Sequence, residues 1–300
     1  MEQGIALYDP KQHRAHAFLH GQDFAVGCLC RASHLLWFLG YPDQAFTKSQ
    51  EALALAREVT HSHSLAYALV FAALLRQLCR QGSAAQEYAE AAIALSMDQG
   101  LPIWGASGTV LRGWALTNQG QLEEGIAQLL QGLTFWEATG AEMVRPHFFG
   151  LLAEAYGKTG QTAKGLSLIA EALRQVEKSG ERVSEAESYR LKGELSLQSR
   201  QVEDKSTTSH GKSESANLQS LTPNLQAEAE DCFLKAIEIA RRQNAKSLEL
   251  RAVMNLSRLW QQQGKRAEAR QMLAKIYNWF TEGFGTPDLQ EAKTLLEEMS

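Results

Sequence analysis

Apolar positions along this chain repeat at the interval of a helix rather than a strand. In the stretch HFFGLLAEAYGKTGQTAKGLSLIAEALRQVEKSG, Phe149, Leu152, Ala153 and Tyr156 recur at i, i+3, i+4 and i+7. Gly165, Ile169 and Ala172 do the same on the next segment, so each segment offers one apolar stripe to a neighbour. Glycines punctuate the segments. Gly40, Gly82, Gly120, Gly160 and Gly264 each follow an amphipathic run, and Gly100, Gly140 and Gly180 fall midway between them. A glycine about every twenty residues is the spacing of helix, turn, helix, turn, each supplying the left-handed conformation that closes a helix. The pattern predicts an all-α chain: a right-handed α-α superhelix of about six helix–turn–helix repeats with a period near 40.

Within each repeat the first helix (A) carries a large apolar residue, a leucine, a small residue and an aromatic. The second (B) carries a small residue, a large one and an alanine. On A helices the pattern reads Leu29/Ser33/Leu36, Phe71/Leu74/Leu78, Thr109/Gly113/Leu116, Tyr189/Gly193 and Val253/Leu256/Ser257/Trp260. On B helices it reads Ala45/Ala52, Gly125/Leu129/Gly132, Ala229/Phe233/Ala236 and Ala269/Leu273. The small residues let two backbones approach. This pattern resembles the tetratricopeptide repeat (TPR), with helices and links lengthened beyond that family's usual period of about 34, and implies a TPR-like solenoid. Pro102 and Pro146 stand just after link glycines, where the first helical turn tolerates a proline, and Asn244 takes the place of Gly180 in its own repeat.

The array divides into residues 21–197, holding repeats 1–4 and helix A of repeat 5, and residues 226–300, holding helix B of repeat 5, repeat 6 and a capping helix. Between them, 198–225 is rich in Ser, Thr, Asn and Lys without apolar periodicity. This insertion of about 24 residues is expected to be a disordered, solvent-exposed loop. Its closure cost grows only logarithmically with length, so the flanking helices can still pair. Residues 1–20 are expected to be a partial repeat helix and a link. The first nine look like the tail of a B helix whose A helix is missing, as in the C-terminal piece of a longer protein or a truncated reading frame. At the other end, TPDLQEAKTLLEEMS predicts an amphipathic cap with an acidic outer face.

Composition narrows the function. With 44% hydrophobic residues, 21% charged and a net charge of −4, the chain lacks the basic face that phosphate contacts require, so no nucleic-acid partner is expected. The N-terminus has no basic stretch followed by an apolar one, and no apolar run approaches the roughly 18 residues of a membrane span. A cytoplasmic protein without a membrane partner is expected. Cys28, Cys30, Cys79 and Cys232 show no C-x-x-C spacing and read as free thiols of a reducing compartment.

Two stretches, ALYDPKQHRAHAFLHGQDFAVGCLCRASHLLWFLGYPDQA and RRQNAKSLELRAVMNLSRLWQQQGKRAEARQML, carry a finer resemblance. They make the chain similar to the C-terminal repeat region of bacterial proteins that join a class III adenylate/guanylate cyclase domain, a regulatory ATPase domain and repeats. The resemblance implies a sensory or assembly role beside those enzymes, or a fragment that functions only with them. It does not transfer their activity, because neither catalytic segment is present.

No motif supplies chemistry. GKTGQT at 157–162 lacks the glycine a phosphate loop requires, since that position is Leu152, and it ends a helix rather than following a strand. His13, His16 and His20 have helical spacing but no carboxylate or cysteine to complete a metal set. His61 and His63 fall in a link and are expected to be solvated. No catalytic residue, cofactor or metal is assigned. The groove lined by A helices is the expected binding surface for a protein or peptide, the ligand face of a non-catalytic scaffold. Residues off the packing stripe there are His34, Trp37, Arg76, Arg80, Trp114, Asn118, His147, Glu154, Arg190, Glu194, Arg251 and Arg258. Exposed Trp and Arg are common interface anchors; in the plainer reading Trp37 and Trp114 pack between repeats. RNA binding by helical repeats would need a basic groove and repeated base-reading pairs.

Overall fold

The computed structural model describes residues 5, 7–9, 13, 15–207 and 215–300, and side chains within that set except those of residues 16 and 200–224. The described residues form helices and no strand. A short α1 (His16–His20) precedes six hairpins: α2 (Phe24–Leu39) with α3 (Pro42–Val59), α4 (Ser62–Leu78) with α5 (Gly82–Gln99), and α6 (Pro102–Asn118) with α7 (Leu122–Ala138). They continue with α8 (Arg145–Lys158) and α9 (Thr162–Ser179), α10 (Glu185–Thr207) and α11 (Ser215–Arg242), and α12 (Lys246–Gln262) and α13 (Arg266–Tyr277). A last helix, α14, spans Pro287–Glu298. The chain is an all-α array of TPR-like hairpins.

Two compact units result. One comprises Met1–Glu142 with Thr281–Pro287, the other Met143–Phe280 with Asp288–Ser300. In the first, each A helix packs on its own B helix, and α4 also touches A helices α2 and α6; in the second, α10 likewise touches α8 and α12.

The turns follow the expected punctuation. After an A helix the chain closes with one recurring bond: Tyr41 N–H to Leu36 O, Gln81 to Arg76 O, Gln121 to Leu116 O, Gln161 to Tyr156 O and Lys265 to Trp260 O, all at 2.8–2.9 Å. This six-residue closure satisfies a carbonyl that the helix end orphans. One glycine is misplaced by the sequence reading. Gly82 is the first residue of α5, and the left-handed residue of that turn is Arg80, at φ 58°. Arg80 therefore lies beyond the end of α4 rather than on its inward face. Thr60 fills the corresponding place after α3, at φ 56°.

The segment expected to be unstructured is helical where it is described. α10 runs on to Thr207 and α11 begins at Ser215; residues 208–214, in the middle of the expected loop, lie outside the described residues. A packed helix already supplies the costly nucleus, and each further residue then adds a hydrogen bond even when its side chain is polar. The expected tail of a B helix at residues 1–9 falls largely outside the described residues.

Small residues set the distance between paired helices. A Cβ on Gly132 of α7 would stand 2.7 Å from the Val110 amide nitrogen of α6, and one on Gly113 of α6 would stand 2.7 Å from the Leu129 nitrogen of α7. The obstacle in each case is backbone, which cannot swing aside. Around this crossing Leu111, Trp114 and Leu129 are fully buried.

Polar ties also hold the first unit. Buried Asp23 caps α2 by accepting from the Val26 N–H (3.0 Å), accepts from the Tyr8 hydroxyl (2.6 Å), and donates its own N–H to buried Ser64 of α4 (2.9 Å). In the 281–287 segment, the Glu282 carboxylate accepts from the backbone N–H groups of Asp43 and Gln44 at 3.0 and 3.1 Å, capping α3. The Gly283 N–H donates back to the Asp43 carboxylate at 3.0 Å. This reciprocal cap joins positions some 240 residues apart.

Two substitutions check this account by urea denaturation. Gly132→Ala should lower stability by about 1–3 kcal/mol, because the added methyl forces the backbones of α6 and α7 apart. Thr60→Gly should raise it by about 0.5–1 kcal/mol, relief of the left-handed strain exceeding the entropy a glycine adds to the unfolded chain.

Candidate functional site

In the second unit, A helices α8, α10 and α12 bring together most of the charged residues expected to line a ligand face. Arg190 of α10 is the centre. Its guanidinium donates to both Glu187 oxygens, at 2.8 and 3.0 Å, and to Glu194 at 2.6 Å. Spacings of three and four residues put one carboxylate a turn below the guanidinium and the other a turn above. A longer contact, 3.5 Å, reaches Asn255 of α12. On either side, Glu154 of α8 pairs with Lys158 (2.8 Å), Arg251 of α12 with Asp288 (2.8 Å), and Arg258 with Glu291 (2.5 Å).

The electrostatics follow from this packing. Burial opposes ionisation of Glu187, but the ion pair and hydrogen bonds from Arg190 outweigh it, with Arg251 and His147 adding smaller attractions. The carboxyl is held at about 2. The Arg190 side chain is 12% exposed, so its planar fork is fixed in one orientation. Glu194 and Arg258 are more open and can meet a ligand.

In the first unit the expected residues do not converge. Trp37 and Trp114 are 3% and 2% exposed, so neither is a surface anchor. Both indoles fill the interior between helices, where paired small residues leave room for a large ring, as the plainer reading had it. Arg76 lies over the Phe46 ring, 4.2 Å from its centroid, and donates to Gln81 at 2.6 Å. Asn118, the last residue of α6, is exposed, with its side-chain oxygen against Gly82. His34 stacks on Phe71 (4.7 Å between centroids, 13° between planes), and its Nε2 meets the Phe71 carbonyl at 2.8 Å. Burial pushes this imidazole down to about 4, against the pull of that hydrogen bond.

The stacked pair belongs to a ladder of rings that sequence reasoning missed. Phe71 stacks on Tyr67 (4.2 Å), Tyr67 meets the edge of Trp104 (5.2 Å), and Trp104 meets His63 (5.3 Å). His63 is thus half-buried against a tryptophan and not solvated, and His61 packs on Phe18. The available signal was the run His63, Tyr67, Phe71 at four-residue steps on one helix. Trp104 comes from α6, and only the fold brings it alongside. Among the described residues no group of histidines, cysteines or carboxylates has metal-binding geometry, and no helix is long and apolar enough to cross a membrane.

Among solved structures, aspartyl phosphate phosphatase F from Bacillus subtilis is similar, with a TM-score of 0.56 at 12% sequence identity; the match covers 84% of this chain and 59% of that one. The apo form of RapI matches at TM-score 0.49 and 14% identity, over 91% of this chain and 70% of that one. The apo form of the quorum sensor NprR from B. thuringiensis matches at TM-score 0.45 and 12% identity, over 91% and 81%. At such identities the likeness is one of fold. No family model and no curated protein matches the chain.

The buried imidazole makes a pH prediction. Folded His34 stays neutral down to about 4, whereas the unfolded chain takes up its proton near the ordinary 6.5. The unfolded state therefore binds more protons between those values, so stability is full above the upper one and declines as pH falls toward the lower. Replacing His34→Gln should flatten that part of the pH–stability curve, measured by denaturant titration at pH steps across the window.

Proposed function

We propose that the chain is a non-catalytic protein-interaction module that receives a peptide or an adjacent domain on its A-helix surface. The observation that supports this most directly is the Arg190 cluster. A guanidinium fixed by two carboxylates, beside half-exposed Glu194 and Arg258, offers charges of both signs in a set geometry, which favours a polar partner of defined register. Carboxylates paired along the same helices would repel a phosphate backbone, which weighs against nucleic acid.

A finer reading makes this the regulatory repeat module of a bacterial, cytoplasmic cyclase–ATPase system. Its support is the resemblance of the two stretches quoted above. An acidic or basic segment of such an ATPase domain would be the partner, and the chain would then sense or assemble rather than catalyse.

Panning a random-peptide display library on the immobilised chain tests the broad reading. Enriched peptides should lose binding to an Arg190→Glu variant whose far-ultraviolet circular dichroism is unchanged. Failure to enrich any sequence, or retention of all binding by the variant, would place the function elsewhere.

A further inference from the structure

One face of α2 lacks the cover that the same face has on the other A helices. The helix, FAVGCLCRASHLLWFL, carries a single charged residue, Arg31, among its 16. A helix that is apolar on all sides is ordinarily buried on all sides. Yet Phe24, Leu35 and Leu39 are 57%, 45% and 40% exposed. With partly exposed Cys28 they form one line at steps of four and seven residues, opposite the buried Val26, Ser33 and Trp37.

The other A helices hide this face. Aligned by the repeat pattern, the counterparts of Cys28 are Val70, Gly108, Phe148, Ser188 and Ala252, and those of Leu35 are Gln77, Ala115, Ala155, Leu195 and Leu259. All are buried. Their cover comes from the B helix of the preceding hairpin: α3 packs on α4, α5 on α6, α9 on α10 and α11 on α12. A Cβ on Gly108 would stand 2.9 Å from Cγ1 of Ile93 and 3.0 Å from the Ala89 carbonyl oxygen, both of α5. Leu166, Ile169 and Leu173 of α9 pack with Leu191 and Leu195 of α10. Ahead of α2 the described residues supply only the five-residue α1, and the face stays open.

The charge on the face selects its occupant. Exposed Arg31 lies midway along it, and among the described residues no carboxylate pairs with it. In the next four A helices the corresponding residues are Ala73, Leu111, Leu151 and Leu191. Two copies of the chain joined symmetrically through α2 would set Arg31 against Arg31 with no acid between them, which repels. A second copy stacked on α2 through its last helix would bring up Gln290, Lys293, Thr294 and Glu297, an exposed polar face with no apolar stripe.

We propose that the open face of α2 is the seat of an amphipathic helix from a partner protein, packed as a preceding B helix would be, with a carboxylate in its apolar stripe set against Arg31. Phe24, Cys28, Leu35 and Leu39 supply the burial, and the guanidinium fixes the register. The seat is separate from the Arg190 surface and goes beyond the reading built on it.

The probe is one of the chain's own B helices with the acid added. Counted from the middle of the link between α9 and α10, Leu173 is level with Leu191, the counterpart of Arg31. A capped peptide of residues 162–179 carrying Leu173→Glu is titrated into the full chain, with the Leu173→Gln peptide beside it. Binding is read by calorimetry and by the alkylation rate of Cys28, since Cys30, Cys79 and Cys232 are buried. The acidic peptide should bind about tenfold more tightly than the amide one, a difference of about 1.4 kcal/mol, and should protect Cys28. Arg31→Gln should erase the preference. Leu35→Glu, at an exposed position, should leave the circular dichroism unaltered and abolish binding of both peptides. Equal affinity for the two, no binding by either, or binding that survives Leu35→Glu would overturn the proposal. So would a chain that sediments as a dimer until Leu35→Glu makes it monomeric, because the face then belongs to a second copy. Neither result touches library peptides that depend on Arg190, and failure to enrich those leaves the seat on α2 intact.

Discussion

The close approach of paired helix backbones governs the rest of the structure. Where Gly113 and Gly132 face the backbone of the opposite helix, no side chain can be accommodated. Two cylinders held this near each other leave wedges on both sides of the line of contact, and large side chains fill them. Leu111, Trp114 and Leu129 do so in the third hairpin, and Leu195 and Phe233 in the fifth, where a Cβ on Gly193 would collide with the Phe233 ring. Dense interiors of this kind respond to single methyl groups, so the small residues specify the hairpin as firmly as the large ones do.

That geometry also decides which residues can meet a partner. Bulky aromatics are drawn into the wedges, so tryptophans that look like surface anchors become core, as Trp37 and Trp114 show. The positions left on the A helices are those a turn away from the stripe, and long charged side chains occupy them. Held on adjacent rigid helices, they pair with neighbours in fixed geometry instead of ranging through solvent. Arg190 reaches one carboxylate below, another above and an amide across the way for this reason.

Much of this was legible from residue spacing. The hairpin count, the chain turns at Gly40, Gly120, Gly160 and Gly264, and the first-turn prolines of α3, α6, α8 and α14 all have local causes, and local causes can be read from a single strand of text. Gly82 misled because residue type is not conformation: the turn takes its left-handed residue two positions earlier, at Arg80, and spends the glycine on contact with Asn118. Off-stripe charges such as Glu194 and Arg258 were recognisable, and the i,i+4 pairing of Arg190 with Glu194 was implicit in their spacing. The partners Asp288 and Glu291, and the ring ladder through His34, Tyr67 and Trp104, join helices far apart in the chain. Periodicity within one helix carries no information about those encounters. Helix in 198–207 was hidden for a different cause, since a polar composition lowers the drive to pack without forbidding a helix to propagate.

A ligand at the Arg190 surface would have to undo bonds that the fold already makes. Around Arg190 every strong donor already has an acceptor, so a partner gains only by replacing bonds that exist, and mismatched partners lose them without return. Such a surface discriminates more than it attracts.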